Sequence, residues 1–226
     1  MQEDSRIASQ DSKMASPLKV PTIYLKDKQA FAKSEGVMRL LGPAVECIKN
    51  LAKRYKLFHI VDLDLKKGNA ANFDVYDKLT YFTHIQVECE NEEAADRLVR
   101  IMARAVVRLP TTLQLEKLNK KLLVGEISGI DTKNMGMENL KELEKQIKMV
   151  GDIIIPEDIA KVVFAKTITR LDDRRSDDRI IEKTGEMLRK KILRKNEKRI
   201  MVKLQKKEDY AGQEYAGAWA IILPEP

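Results

Sequence analysis

Two carboxylates, Asp62 and Asp64, stand two residues apart at the end of the apolar run LFHIVDLDLKKGN, Leu57 to Asn69. A strand turns successive side chains to opposite faces, so Phe58, Ile60, Asp62 and Asp64 share one face and Leu57, His59, Val61 and Leu63 the other. Both faces are largely apolar, which is how a parallel strand covered on both sides reads. Carboxylates at the C-terminal end of such a strand sit where α/β folds place their chemistry, and this makes Asp62 and Asp64 candidates for acid, base or ligand contacts. The structural alternative is that one of them caps the following turn or pairs with Lys66. In HIQVEC, His84, Gln86 and Glu88 share a face opposite Ile85, Val87 and Cys89. Glu88 is therefore the third candidate carboxylate, and with Asp62 and Asp64 it is expected to form an acidic site that favours a cation over free phosphate. His59, on the other face of its strand from Asp62, is expected to face a helix layer.

The elements that must position these groups alternate along the chain. Residues 1–16, MQEDSRIASQDSKMAS, show no apolar period and read as a disordered arm, with one domain over 17–226. VPTIYL is a short strand, and LGPAVECIKNLAKRY a helix with Gly42 and Pro43 at its start. After the LFHIVDLDL strand, HIQVEC is the third strand and NEEAADRLVRIMA a helix capped by Asn91, with Glu92 and Glu93 in its first turn. RAVVRLP is a fourth strand, TTLQLEKLNKK a short helix, LLVGEIS a fifth strand and MENLKELEKQIKMVG a helix that stops at Gly151. Either 152–156 or 162–168 is the sixth strand, the first being preferred because it follows the helix stop directly. DDRIIEKTGEMLRKKILRK reads as a basic helix, RIMVKLQ as the seventh strand and GAWAIIL as the eighth. Eight strands alternating with helical segments predict an α/β fold, a TIM-type (βα)8 barrel with an irregular second half; a doubly wound open sheet is the alternative.

Composition narrows the function classes. The chain has 226 residues, enough for one such barrel. No run approaches a membrane span and no charged-apolar-small leader opens the chain, so a soluble cytoplasmic protein is expected. Cys47 and Cys89 are the only cysteines and only two histidines occur, without metal-type spacing. Neither a disulfide, a metal site nor a bound cofactor is expected. Between Lys166 and Lys207 there are 16 basic and 7 acidic residues, a balance of +9 that exceeds the +7 of the whole chain. Arg189, Lys190, Lys191, Arg194, Lys195, Lys198 and Arg199 are expected on the solvent side of the basic helix, where they attract polyanions without sequence preference.

Over LGPAVECIKNLAKRYKLFHIVDLDLKKGN the chain resembles the HisA/HisF family of histidine-biosynthesis βα barrels, whose members read similarly through VDLD and the following GN. TIYLKDKQAF is similar to the family's opening strand and turn, and the resemblance covers about Pro21 to Val107. It implies a barrel whose relatives isomerise or cyclise phosphoribosyl substrates, with a carboxylate at the end of strand one and another at the end of strand five. By the resemblance, Tyr24 occupies the position of the strand-one carboxylate, and a phenol cannot replace it near neutral pH. Strand five offers Glu126, one residue from the family's position. The family's glycine-rich phosphate loops are replaced by ECENE, Glu88 to Glu92, by Leu109 and Pro110, and near strand seven by Gln205, Lys206 and Lys207. Lys206 and Lys207 are able to hold a phosphate as point charges. Asn69 falls on the family's GN.

The expected function is a divergent HisA/HisF-like barrel that has lost isomerase catalysis and binds a ligand or partner, with Tyr24, Asp62, Asn69, Lys206 and Lys207 as contacts. The alternatives are an active isomerase or lyase on a phosphorylated sugar using Asp64 with Glu88 or Glu126, and a nucleic-acid-associated module using the basic 189–207 surface.

Overall fold

A computed structural model describes residues 16–127, 137–164, 186, 190, 198–206, 215 and 217–226, with side chains from 141 onward in the second stretch. The strands are β1 (Leu18–Lys26), β2 (Gln29–Ser34), β3 (Val37–Pro43), β4 (Leu57–Asp62), β5 (His84–Glu88), β6 (Arg104–Leu109), β7 (Leu123–Ile127), β8 (Asp152–Pro156), β9 (Ile200–Lys203) and β10 (Ala220–Leu223). The helices are α1 (Ala44–Leu51), α2 (Phe73–Thr80), α3 (Glu92–Arg100), α4 (Met137–Met149) and α5 (Glu157–Phe164). Strand β1 and strands β4 to β10 pair in parallel, each with the next in this order. The ring closes where β10 pairs with β1, Ala220 opposite Leu18. Closure leaves these eight strands without a free edge.

Alternation along the strands divides the core in two. Inside the barrel, Val20, Leu57, Val106, Val124, Ile154, Met201, Ala220 and Ile222 pack in one buried cluster. Outside it, Ile23, Phe58, Ile60, Ile85, Val107 and Ile153 pack in the cluster shared with the helices. Below the inner cluster, at the N-terminal ends of the strands, the Arg104 guanidinium pairs with the Asp152 carboxylate. Arg199 also binds Asp152 and stacks on Trp219, 4.1 Å from the ring centre. These four side chains form the floor.

Helix α3 shows how local sequence sets an element. The Asn91 side chain accepts from Ala94 N at 2.8 Å, Glu92 and Glu93 occupy the first turn, and Ala94, Ala95 and Leu98 are buried. That cap stabilises the helix by about 1 kcal/mol.

Several local expectations change. Leu41 to Pro43 belong to β3, an antiparallel hairpin with β2, and the helix occupies only Ala44–Leu51. Both hairpin turns place two consecutive residues at positive φ, Asp27 and Lys28 in one and Glu35 and Gly36 in the other. Such turns match the right-handed twist of the flanking strands. Residues 111–121 form two short 3-10 turns, at Leu115–Lys117 and Lys120–Leu122, and no α-helix. The Asn119 side chain accepts from Lys121 N at 3.1 Å and starts a fresh turn where a helix would have to continue. The sixth barrel strand is Asp152–Pro156, and Glu157–Phe164, overlapping the other option, is helix α5. Lys198 and Arg199 lie outside any helix, just ahead of β9. The arm at 1–15 and most of the basic helix, with Arg189, Lys191, Arg194 and Lys195, lie outside the described residues. Among the described residues no helix is long and apolar enough to cross a membrane.

Candidate functional site

Alternation carries Thr22 and Tyr24 of β1, His59 of β4, Gln86 and Glu88 of β5, Glu126 of β7 and Lys203 of β9 to the inside of the barrel. The three charged members meet at the C-terminal end. Lys203 Nζ donates to Glu88 Oε1 at 2.8 Å and to Glu126 Oε1 at 2.7 Å. Lys66, on the turn after β4, reaches Glu88 Oε2 at 2.6 Å. His59 Nε2 lies 3.0 Å from Glu88 Oε1, and its Nδ1 lies 3.1 Å from Gln86 Nε2. The Gln86 Oε1 accepts from Arg104 Nη1 at 3.2 Å, which turns the Gln86 amide N–H groups toward His59. In this arrangement Nδ1 of His59 accepts, and Nε2 carries the proton donated to Glu88.

These contacts set the charge states. Burial pushes the Glu88 carboxyl up, but the His59 hydrogen bond and the Lys203 ammonium outweigh it and hold the group well below the usual carboxylate range. Burial pulls the Lys203 ammonium down, but Glu126 and Glu88 outweigh it and raise the group above its ordinary value. The Tyr24 phenol is raised, chiefly by burial. Two glutamates thus face two lysines in the cluster.

Above it opens a cavity of about 800 Å³, lined among others by Thr22, Tyr24, Lys33, Glu126, Lys203 and Lys206. The tip of the β2–β3 hairpin, Ser34 to Gly36, forms part of its wall.

The expected site residues divide into two groups. Tyr24, Glu126 and Lys206 line the cavity, and Glu88 lies against Lys203 beneath it. Asp62 and Asp64 do not join them. Asp62, on the outer face with Phe58 and Ile60, accepts from Asp64 N at 2.8 Å, Leu65 N at 3.0 Å, the Asn72 amide and the Tyr76 hydroxyl. Asp64 lies beyond the end of β4, where its Oδ2 accepts from Asp27 N at 2.6 Å and from Asn72 Nδ2 at 3.0 Å. The pair thus ties the β1–β2 turn and α2 to the end of β4. The expected acidic site of Asp62, Asp64 and Glu88 is therefore not a single cluster, and the carboxylate that does face the interior is matched by lysines. Asn69 is exposed, its backbone N–H donating to Asp64 O at 2.9 Å. Lys207 lies outside the described residues. His59 points into the barrel and not toward the helices, because the register sets it beside Gln86.

Sequence reasoning missed Lys203 and Lys33, and it offered Lys66 as a partner of Asp62 or Asp64 where it reaches Glu88 instead. Lys203 had a signal: it ends the IMVK strand two residues after the inward Met201. Among the described residues no group of three or more His, Cys, Asp or Glu side chains is placed to hold a metal ion. Of the basic surface, Lys190 pairs with Glu186 at 3.1 Å, and Arg199 belongs to the floor. No known family model matches the chain, and no curated protein matches it.

Proposed function

We propose that the chain is a divergent HisA/HisF-like barrel of TIM type that does not isomerise a phosphoribosyl substrate and binds a small molecule in the cavity at its C-terminal mouth. One observation carries this reading: Lys203 is clamped between the strand-end carboxylates Glu88 and Glu126. A general acid or base works best with a pKa near the operating pH. Here Glu88 is driven down, Lys203 up and Tyr24 up, so these three groups at the mouth move away from neutrality. The sequence resemblance supplies the family, and the replacement of its glycine loops and strand-one carboxylate supports the loss of the reaction. Asp62 and Asp64 serve, in this reading, to hold the hairpin and α2.

The test is expression in a strain lacking the histidine-pathway isomerase. Growth without histidine is not expected. Growth that is lost again in Glu126→Gln would overturn the proposal.

That outcome would favour a second reading, an active isomerase or lyase, which rests on the inward direction of Glu126 at the end of the fifth barrel strand. Its partner carboxylate would be Glu88, since Asp64 is engaged by Asp27 and Asn72.

The basic residues Arg189, Lys190, Lys191, Arg194, Lys195 and Lys198 further support bulk attraction of polyanions. Binding to RNA should then fall steeply with salt and show no sequence preference. A sequence-specific complex retained near physiological ionic strength would instead make nucleic acid the partner.

A further inference from the structure

The β2–β3 hairpin extends the mouth on one side, and its two faces differ. Ala30 and Ala32 are buried, and Ala30 belongs to the cluster shared with the helices. The other face carries a row across three strands. Tyr24 of β1 stands opposite Phe31 of β2, and Phe31 opposite Leu40 of β3. Directly opposed residues of antiparallel strands share a face. Lys33 stands opposite Met38 on that same face, and its Nζ lies 5.9 Å from the centre of the Tyr24 ring. The row begins at Tyr24, which lines the cavity, and runs outward to Leu40, 58% exposed, with Met38, 37% exposed, beside it.

An exposed apolar row continuous with a cavity is a binding feature more often than a neutral accident of surface composition. The inner end of the cavity adds a second demand. Lys203 has three N–H groups, two of which go to Glu88 and Glu126. Among the described residues no acceptor takes the third, and Lys203 lines the cavity. The charged side chains that line the cavity balance, Lys33, Lys203 and Lys206 against Glu35, Glu126 and Glu225, so a full negative charge there would meet the glutamates without a matching excess of cation. An uncharged oxygen avoids that repulsion.

We infer that the cavity takes a small amphipathic molecule whose flat apolar body stacks on Tyr24 and lies along Phe31 and Leu40, and whose uncharged carbonyl or hydroxyl oxygen accepts from Lys203. This rests on the reading of the mouth as a binding site and names the class of ligand it holds. A sugar phosphate has neither the apolar body nor the neutral head, and it is expected to be excluded.

The probe is 7-hydroxycoumarin, a flat ring system with carbonyl and hydroxyl oxygens, titrated calorimetrically into the full chain in mildly acidic buffer, where its phenol stays protonated, with ribose 5-phosphate titrated alone and as a competitor. The coumarin is expected to bind, to weaken about tenfold in Tyr24→Ala and about threefold in Leu40→Ser, and not to be displaced by ribose 5-phosphate. Leu40 is exposed, so its substitution leaves the fold intact and reads the contact alone. Binding of ribose 5-phosphate with exclusion of the coumarin would keep the mouth as a binding site but overturn the ligand class. Coumarin affinity unchanged in both variants would overturn its placement on the row. Binding of neither compound would overturn the inference and count against the binding reading as well.

Discussion

His59 Nε2 stands 3.0 Å from Oε1 of Glu88, and this contact is one link in a chain of hydrogen bonds along the barrel axis. Arg104 donates to Gln86, Gln86 to His59, and His59 to Glu88, so a polar thread joins the floor to the mouth through an otherwise apolar interior. Such a thread is stabilising only when every member is satisfied.

Acid should weaken the protein through Glu88. Its folded carboxyl is held below the ordinary value of about 4.3, so its contribution is fully present above that value and is lost as pH falls through the folded one. Lys203 behaves oppositely: its folded ammonium is raised above about 10.4, so its contribution is present below that value and is lost as pH rises through the folded one. Denaturant titrations at a series of pH values should show a plateau between these limits. Glu88→Gln is expected to shrink the loss between about pH 6 and pH 3 by about 1–2 kcal/mol, and an undiminished loss would show that Glu88 is not its source.

Removing the shared cation should cost more than removing either carboxylate. Lys203→Met leaves Glu88 and Glu126 without the cation they share, and a loss of about 3 kcal/mol is expected by urea unfolding. Adding Glu126→Gln to that variant should recover part of the loss. No recovery would mean that Lys203 acts mainly through its packing.

Asp62→Ala should destabilise strongly without touching the mouth. It strips acceptors from the backbone N–H groups of Asp64 and Leu65 and from the side chains of Asn72 and Tyr76, all at a buried position. About 3 kcal/mol is expected, with Asp64→Ala smaller, since among the described residues Asp64 Oδ2 serves two donors, Asp27 N and Asn72 Nδ2. Ligand binding by each folded variant should match the wild type. A variant that kept its stability but lost binding would return these carboxylates to the site.

The floor offers a test of buried pairing. Asp152→Ala leaves the Arg104 guanidinium buried without its carboxylate, at an expected cost of about 3–5 kcal/mol. The double variant Arg104→Met with Asp152→Leu should lie much closer to the wild type. Equal losses in the single and double variants would show that shape, and not charge, is what the floor supplies.

The barrel strands were legible because short apolar or alternating runs survive without tertiary context, as in LVGEI and HIQVE. The hairpin was not. Its first turn uses Asp27 and Lys28 at positive φ, without the glycine that usually advertises such a turn. Helix α2, FDVYDKLT, lacks a capping hydrogen bond from Asn72 and alternates apolar with charged residues, so nothing marks its start as Asn91 marks that of α3. For the site, alternation correctly grouped Phe58, Ile60 and Asp62, but a strand apolar on both faces does not say which face is inside. The register decides it: Leu57 opposite His84 and His59 opposite Gln86 set the interior of β4 from that of β5. Lys203 and its two glutamates come from strands far apart in sequence, and only ring closure brings them together.

The floor of Arg104, Asp152, Arg199 and Trp219, with the packed layer above it, makes the barrel a cup and not a tube. Among the described residues, a molecule in the mouth therefore has one doorway, at the C-terminal end of the strands, used in both directions. A bulky residue at the rim, for example at Ser34, raises the same barrier for arrival and departure. Rim substitutions that do not touch the bound molecule should slow both rate constants by one factor and leave the dissociation constant where it was.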